Sequence, residues 1–266
     1  MYRQHFGLSC HPFSPEIEPD DLFVSAGARE AATRLGHLLE MRGIGLITGE
    51  SGSGKTCACR RTVSTLHPGR FRLVYVALST GNVMDLFKTI AWEMGLPTER
   101  SRAALHKQIR AEVTRLSSEV RARPVLVVDE AHHLRPELLE DLRLLTNYQM
   151  DSENRLCLLL IGQPELRRRL GLSVYEALSQ RIVVRYHMPG LTRDELGAYL
   201  AHLLRRAGTE LPLFDPSAQE AIFQASAGLP RRANSIAHHA LLAAALGKSR
   251  AVTAEHVAAA LPEVGA

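Results

Sequence analysis

No run of this sequence could cross a bilayer: about 20 apolar residues are needed, and the longest unbroken stretch, Ala240 to Leu246, is far shorter and rich in alanine. The opening residues, MYRQHFGLSCHPFSP, lack the continuous apolar core of a secretory leader, so a cytoplasmic setting without membrane contact is expected. Cysteine is scarce. Cys10, Cys57, Cys59 and Cys157 form neither a disulfide framework nor a zinc pattern, and the C-x-C pair lacks a second pair or nearby histidines. Small helix residues in a reducing compartment account for them. Lysine is also rare: Lys55, Lys88, Lys107 and Lys248 stand among 32 basic residues, and arginine supplies the rest. The net charge of +4 permits contact with nucleic acid without demanding it. There is no internal repeat and no low-complexity segment.

What is present is an ordinary globular composition, 45% hydrophobic and 23% charged over 266 residues, enough for one large or two small domains. Within it, IGLITGESGSGKTCAC carries the pattern G-x-x-x-x-G-K-[ST]. Glycines let such a loop turn tightly, so that successive backbone N–H groups point at phosphate oxygens. Ile44 to Thr48 reads as a short buried strand and Lys55 to Leu66 as a helix stopped by His67-Pro68-Gly69, the order that the motif requires. The nucleotide-contacting stretch is then Gly49, Glu50, Ser51, Gly52, Ser53, Gly54, Lys55, Thr56 and Cys57. Lys55 reaches the β- and γ-phosphates of ATP, Thr56 ligates Mg²⁺, and the helix N-terminus adds its positive end.

Val125-Leu-Val-Val-Asp129-Glu130 is an apolar run closed by two acids. A parallel strand buried on both faces reads this way, and ligands bind at the carboxyl ends of such strands. Asp129 is placed beside the Mg²⁺, directly or through water, and Glu130 as the group that polarises the attacking water. His132 and His133, next in the DEAHH string, read as exposed helix-start residues rather than as ligands. Leu156 to Gly162 is a further buried strand; Gln163 at its end senses the γ-phosphate or orients water, unless it only forms a strand-to-helix turn with Pro164.

Together these segments resemble an AAA+ ATPase. Leu178-Ser-Gln-Arg181 resembles the place from which that family projects an arginine finger toward a neighbour's γ-phosphate, and Gly228-Leu-Pro-Arg231 resembles the G-x-P-R motif whose arginine touches nucleotide from the lid. Arg232 is a less suitable substitute. Phe6-Gly-Leu8 with Pro12-Phe13-Ser14, Leu22-Phe-Val-Ser25, VLVVDEAHHL, LLIGQPEL and QRIVVRYHMPGL resemble the ExeA-like branch and its transposition relatives TnsC, TniB and IstB. The implied fold is an α/β AAA+ P-loop NTPase core, a parallel sheet flanked by helices, followed by a small all-α lid. Residues 1–30 are expected as a lead-in on the core, 31–189 as the nucleotide-binding domain and 190–266 as the lid.

Between the strands at Leu73 and Val125 there is room for two helices, Asn82 to Met94 and Ser101 to Arg121, where a minimal crossover needs one. The resemblance implies that the added helix faces DNA, with Arg102, Lys107 and Arg110 as candidate phosphate contacts. The leading expectation is an ATPase that assembles on double-stranded DNA as a ring or helical filament and recruits a transposase to its target. The alternative is an ExeA-like secretion ATPase acting in cell-envelope assembly. That class adds a membrane segment and a periplasmic module, and because these residues hold neither, it ranks second. A small-molecule P-loop kinase would leave Arg181, Arg231 and the lid without a role.

Overall fold

The computed structural model describes residues 2–77 and 82–264. In chain order its principal elements are α1 (Tyr2–His5), α2 (Ala26–Met41), β1 (Ile44–Thr48), α3 (Lys55–Ser64), β2 (Phe71–Ala77), α4 (Val83–Glu93), α5 (Arg102–Ser118) and β3 (Arg123–Asp129). There follow α6 (Pro136–Leu145), β4 (Cys157–Gly162), α7 (Pro164–Arg169), α8 (Glu176–Ser179), β5 (Ile182–His187), α9 (Arg193–Arg206), α10 (Pro216–Ser226), α11 (Pro230–Leu246) and α12 (Ala254–Val264). They divide into two compact units. One holds residues 29–49 and 55–188, the other 2–28, 50–54 and 189–264.

The first unit is built on five parallel strands in the order β2-β3-β4-β1-β5. Their sequences explain the order. β1, β3 and β4 are apolar almost throughout and buried along nearly their whole length, as interior strands of a sheet covered on both faces must be. The edge strands β2 and β5 alternate buried and exposed residues. Successive side chains on a strand point to opposite faces, which sorts the core into two layers. Leu126, Val128, Leu158 and Leu160 pack with Leu86, Phe87, Leu105, Ile109, Leu138 and Leu142 of α4, α5 and α6. Val125, Val127, Leu159 and Ile161 pack with Leu35, Leu38 and Leu39 of α2 and Cys59 of α3. Both helices expected between β2 and β3 are present, and Asn82 caps the first by accepting from the Met84 N–H at 3.0 Å.

The second unit is all-helical. Leu196, Leu200, Leu203 and Leu204 of α9 share one core with Ile222, Ile236, Leu241 and Val257 of the later helices. Tyr2, Phe6 and Leu8 belong to that core, and Phe13, Ile17 and Phe23 pack against it. The lead-in, expected to lie on the nucleotide-binding domain, thus has its own apolar residues in the helical unit, because these aromatic and aliphatic side chains pack there. Thr192 and Glu195 close a full capping box at the start of α9, and Glu195 also accepts from the Ala26 N–H at 2.6 Å.

Candidate functional site

The carboxyl ends of the interior strands gather the polar residues. Thr48 pairs with Gly162 across β1 and β4, and β4 lies between β1 and β3, so Gln163 follows the strand that separates the phosphate loop's strand from the acids after β3. The loop turns through left-handed glycines, with φ of +77° at Gly52 and +95° at Gly54, and the Ser53 N–H closes a turn on the Glu50 carbonyl at 3.1 Å. Ser53 is buried, and its hydroxyl has no hydrogen-bond partner among the described residues. Lys55 opens α3, which has no acid in its first turn; its ammonium is buried and donates to the Gly49 carbonyl at 2.8 Å.

The Thr56 hydroxyl donates to Asp129 Oδ2 at 2.7 Å, joining the loop's helix to β3. Tyr75 Oη donates to the same oxygen at 3.0 Å, and the Glu130 N–H donates to Oδ1 at 2.8 Å. Three donors thus hold a carboxylate that is 5% exposed. Burial, then the charge and hydrogen bond of Asp129, push the Tyr75 phenol far above its ordinary value, so it remains a donor. The neighbouring hydroxyl and carboxylate are hard oxygen donors of the kind Mg²⁺ takes, and they fit that ion. Tyr75 was not legible as a site residue. Its only signal is register: β2 lies alongside β3, with Ala77 opposite Asp129.

Glu130 leaves the strand in the left-handed region, at φ 51° and ψ 33°, and its side chain is 51% exposed. A non-glycine residue there costs on the order of 1 kcal/mol or more, a kind of strain that clusters at functional sites. Gln163 caps α7 without bonding it through its side chain, leaving the amide available. His132, expected to be exposed, is buried, with a side chain only 4% exposed. Its burial has a local cause. Ala131–His133 is a single 3-10 turn whose backbone lies against Gly162 at the end of β4 and is clamped by Arg169, which donates to the carbonyls of His132 at 2.6 Å and Leu134 at 2.7 Å. Burial, and then the neighbouring His133, lower the His132 pKa, so its imidazole is neutral.

Arg181 is in the same unit and forms an ion pair with Asp151; its guanidinium also donates to Thr146 Oγ1 at 3.4 Å. In the helical unit, Arg231 donates from its N–H to the Gly52 carbonyl at 3.3 Å and from its guanidinium to Ser51 Oγ at 3.4 Å. Gly228 of that motif is required twice over: φ is +71°, and a Cβ would stand 2.1 Å from the Leu191 carbonyl oxygen. Arg232 is exposed. Among the α5 candidates, Arg102 pairs with Asp141, and Arg110 donates to the carbonyls of Leu144 at 3.1 Å and Asn147 at 2.5 Å. Lys107 is exposed. Cys57 is exposed; Cys59 is buried, which pushes its thiol up to about 12, with Asp129 adding to the rise.

A family profile described as an AAA domain matches residues 39–170, from α2 through β4 to α7. The matched segment lies on an AAA+ P-loop NTPase fold. The chain is 38% identical over 247 residues to "General secretion pathway protein A" of Aeromonas hydrophila, a match covering 92% of this chain and 45% of that protein. This chain therefore spans less than half the length of that relative. Among solved structures it resembles Cdc6p from Pyrobaculum aerophilum, with a TM-score of 0.71 at 19% identity over 95% of this chain and 70% of that one. A structure of Drosophila ORC bound to DNA matches with a TM-score of 0.72 at 19% identity, over 100% of this chain and 66% of that one. At such identities these two establish the fold alone. The ExeA-like half of the expected resemblance has a relative behind it; the transposition half has no such support. Among the described residues, no helix is long and apolar enough to cross a membrane.

Proposed function

We propose that this chain is the ATP-hydrolysing module of a secretion-associated machine, working on the assembly of a transport apparatus in the cell envelope. Lys55 and the loop N–H groups hold the phosphates, Thr56 and Asp129 hold Mg²⁺, and Glu130 withdraws the proton of the attacking water. A magnesium ion held there would supply positive charge to neutralise the phosphates. Gln163 orients the water or the γ-phosphate, and Arg231 reports the nucleotide to the helical unit. Arg181 exchanges Asp151 for the γ-phosphate of a neighbouring copy, so that ATP favours the assembled state and hydrolysis releases it.

One observation carries the choice of setting: 38% identity across 92% of the chain to a protein named for the general secretion pathway. The lack of a membrane segment within these residues does not weigh against it, since the match spans only 45% of that relative. Assembly on double-stranded DNA with a transposase as partner is the second reading, favoured by the sequence resemblance alone.

The deciding test has two arms. In a host whose gene is replaced by the Glu130→Gln form, export of a secreted reporter should collapse while its cytoplasmic synthesis continues. Undiminished export would end the secretion reading. Sedimentation of the purified chain with Mg·ATP should show a protomer-to-oligomer shift that Arg181→Ala abolishes and that duplex DNA leaves unchanged. Nucleotide-dependent filaments only on duplex would instead return the second reading to first place.

A further inference from the structure

The turn after β3 holds more than the groups hydrolysis needs. Glu130, His132 and His133 each place one potential ligand atom within 4.8 Å of the other two. His132 Nδ1 is buried without a hydrogen-bond partner, and it faces Glu130 Oε2 at 3.3 Å. A buried nitrogen left without a partner is unfavourable unless something fills the gap. The His132 and His133 rings lie 4.0 Å apart between centroids.

We infer that Glu130, His132 and His133 form an inhibitory zinc site, in which a zinc ion bound by one oxygen and two imidazole nitrogens takes the water-activating carboxylate out of service. The donor set is the reason for the choice of metal. Two imidazoles and a carboxylate suit Zn²⁺ and exclude the oxygen-preferring Mg²⁺ and Ca²⁺. Three protein ligands leave the fourth tetrahedral position to water. At bond lengths of about 2.0–2.2 Å, tetrahedral ligand atoms sit roughly 3.3–3.5 Å apart. The Glu130–His132 pair already has that spacing, at 3.3 Å. Exposed His133 closes the set by turning its ring.

The backbone is prepared for this role. The turn is fixed by the His133 N–H on the Glu130 carbonyl at 3.0 Å and by Arg169 on the His132 carbonyl. Gly162 leaves the turn room, since a Cβ there would stand 3.2 Å from the His132 nitrogen. Asp129, Thr56 and Lys55 are not among the ligands, so zinc would arrest turnover and leave nucleotide binding intact.

Binding of the metal stands on this geometry alone; its effect on turnover rests on the hydrolytic role proposed for Glu130. The test is a zinc titration of the whole chain, free of nucleotide and magnesium, against a chromophoric chelator. It is paired with ATP turnover at fixed Mg·ATP and rising zinc. The wild-type chain should bind one equivalent, and His133→Ala, at an exposed position, should bind it at least about tenfold more weakly. Zinc should lower the wild-type kcat with little change in KM for ATP, while His133→Ala turns over normally and resists. Sequestration of ATP by zinc would affect both proteins alike and so cannot imitate the result. Equal zinc affinity in the two proteins, or equal inhibition of both, overturns the site. His133-dependent binding by a chain that never hydrolyses ATP would uphold the site and remove the hydrolytic reading instead.

Discussion

The carboxyl end of β3 and the surface of α5 are both crowded with charge, and they use it in opposite ways. On α5, Arg102 pairs with the buried carboxylate of Asp141, Arg110 binds two carbonyls and stacks 4.2 Å over the Tyr148 ring, and Arg115 pairs with Glu112 at 2.7 Å. These cations fasten α5 to itself, to α6 and to the loop beyond. At the end of β3 the balance is reversed. Glu130 is strained and half exposed, and His132 has an orphaned nitrogen. Charge satisfied inside the fold holds structure. An orphaned atom alone does not separate the regions, since Asp141 Oδ2 also lacks a hydrogen bond; what marks the end of β3 is a buried orphan beside an exposed carboxylate on strained backbone.

The sharpest way to test that contrast is to alter one residue from each region and read both activity and stability. Glu130→Gln should lower ATP turnover by about 10²–10⁴-fold, the usual contribution of a positioned general base, while ATP binding and melting temperature stay near wild type. A change in melting temperature as large as that of a core variant would mean that Glu130 holds structure, and the distinction between the regions would fail.

Gly228→Ala carries the comparison into the helical unit. The added methyl meets the Leu191 carbonyl and the backbone must hold a positive φ, so destabilisation of about 3 kcal/mol is expected in urea unfolding. Arg102→Ala should cost about 1–3 kcal/mol, because it strands the Asp141 carboxylate, which is 5% exposed on its side chain and has one oxygen already without a hydrogen bond. Turnover per folded molecule should not move. If instead stability is unchanged and affinity for duplex DNA drops with a shallower salt dependence, α5 is a phosphate-binding face.

The pattern of legibility follows the same division. The five strands and the helices between them could be read because their apolar runs and periodicities are local. Gly49 to Thr56, Asp129 and Glu130, the set proposed to bind and hydrolyse ATP, stand out in the sequence because a phosphate cradle needs glycines, a lysine and acids at set positions on consecutive elements. Tyr75, Arg169 and the burial of His132 could not, because each depends on which strands and turns become neighbours. The internal use of Arg102 and Arg110 was hidden for the same reason: a basic helix face looks alike in sequence whether its partners are phosphates or the carbonyls after α6. The lead-in is a further case, since Phe6, Phe13 and Phe23 mark apolar anchoring without saying which core receives them.

The smallest effect is at Asp215, which caps α10 by accepting from the Ala218 N–H and the Ser217 hydroxyl, both at 2.7 Å. Those bonds, led by Ser217, hold its carboxyl below the ordinary value of 3.8. A group whose pKa is depressed by folding stabilises above its unfolded pKa and loses that contribution as the pH falls through its folded one. Asp215→Ala should therefore cost about 1 kcal/mol at neutral pH, the usual value of an N-cap, with the gap to wild type narrowing once the pH drops below the ordinary carboxylate range. ATP turnover should be untouched, since the cap serves only its helix. Urea unfolding of both proteins at neutral and at acid pH measures the gap. A gap that stays constant across that range would show that the ionised carboxylate is not what holds the helix end, and that polar groups in this unit need a different account from those on α5.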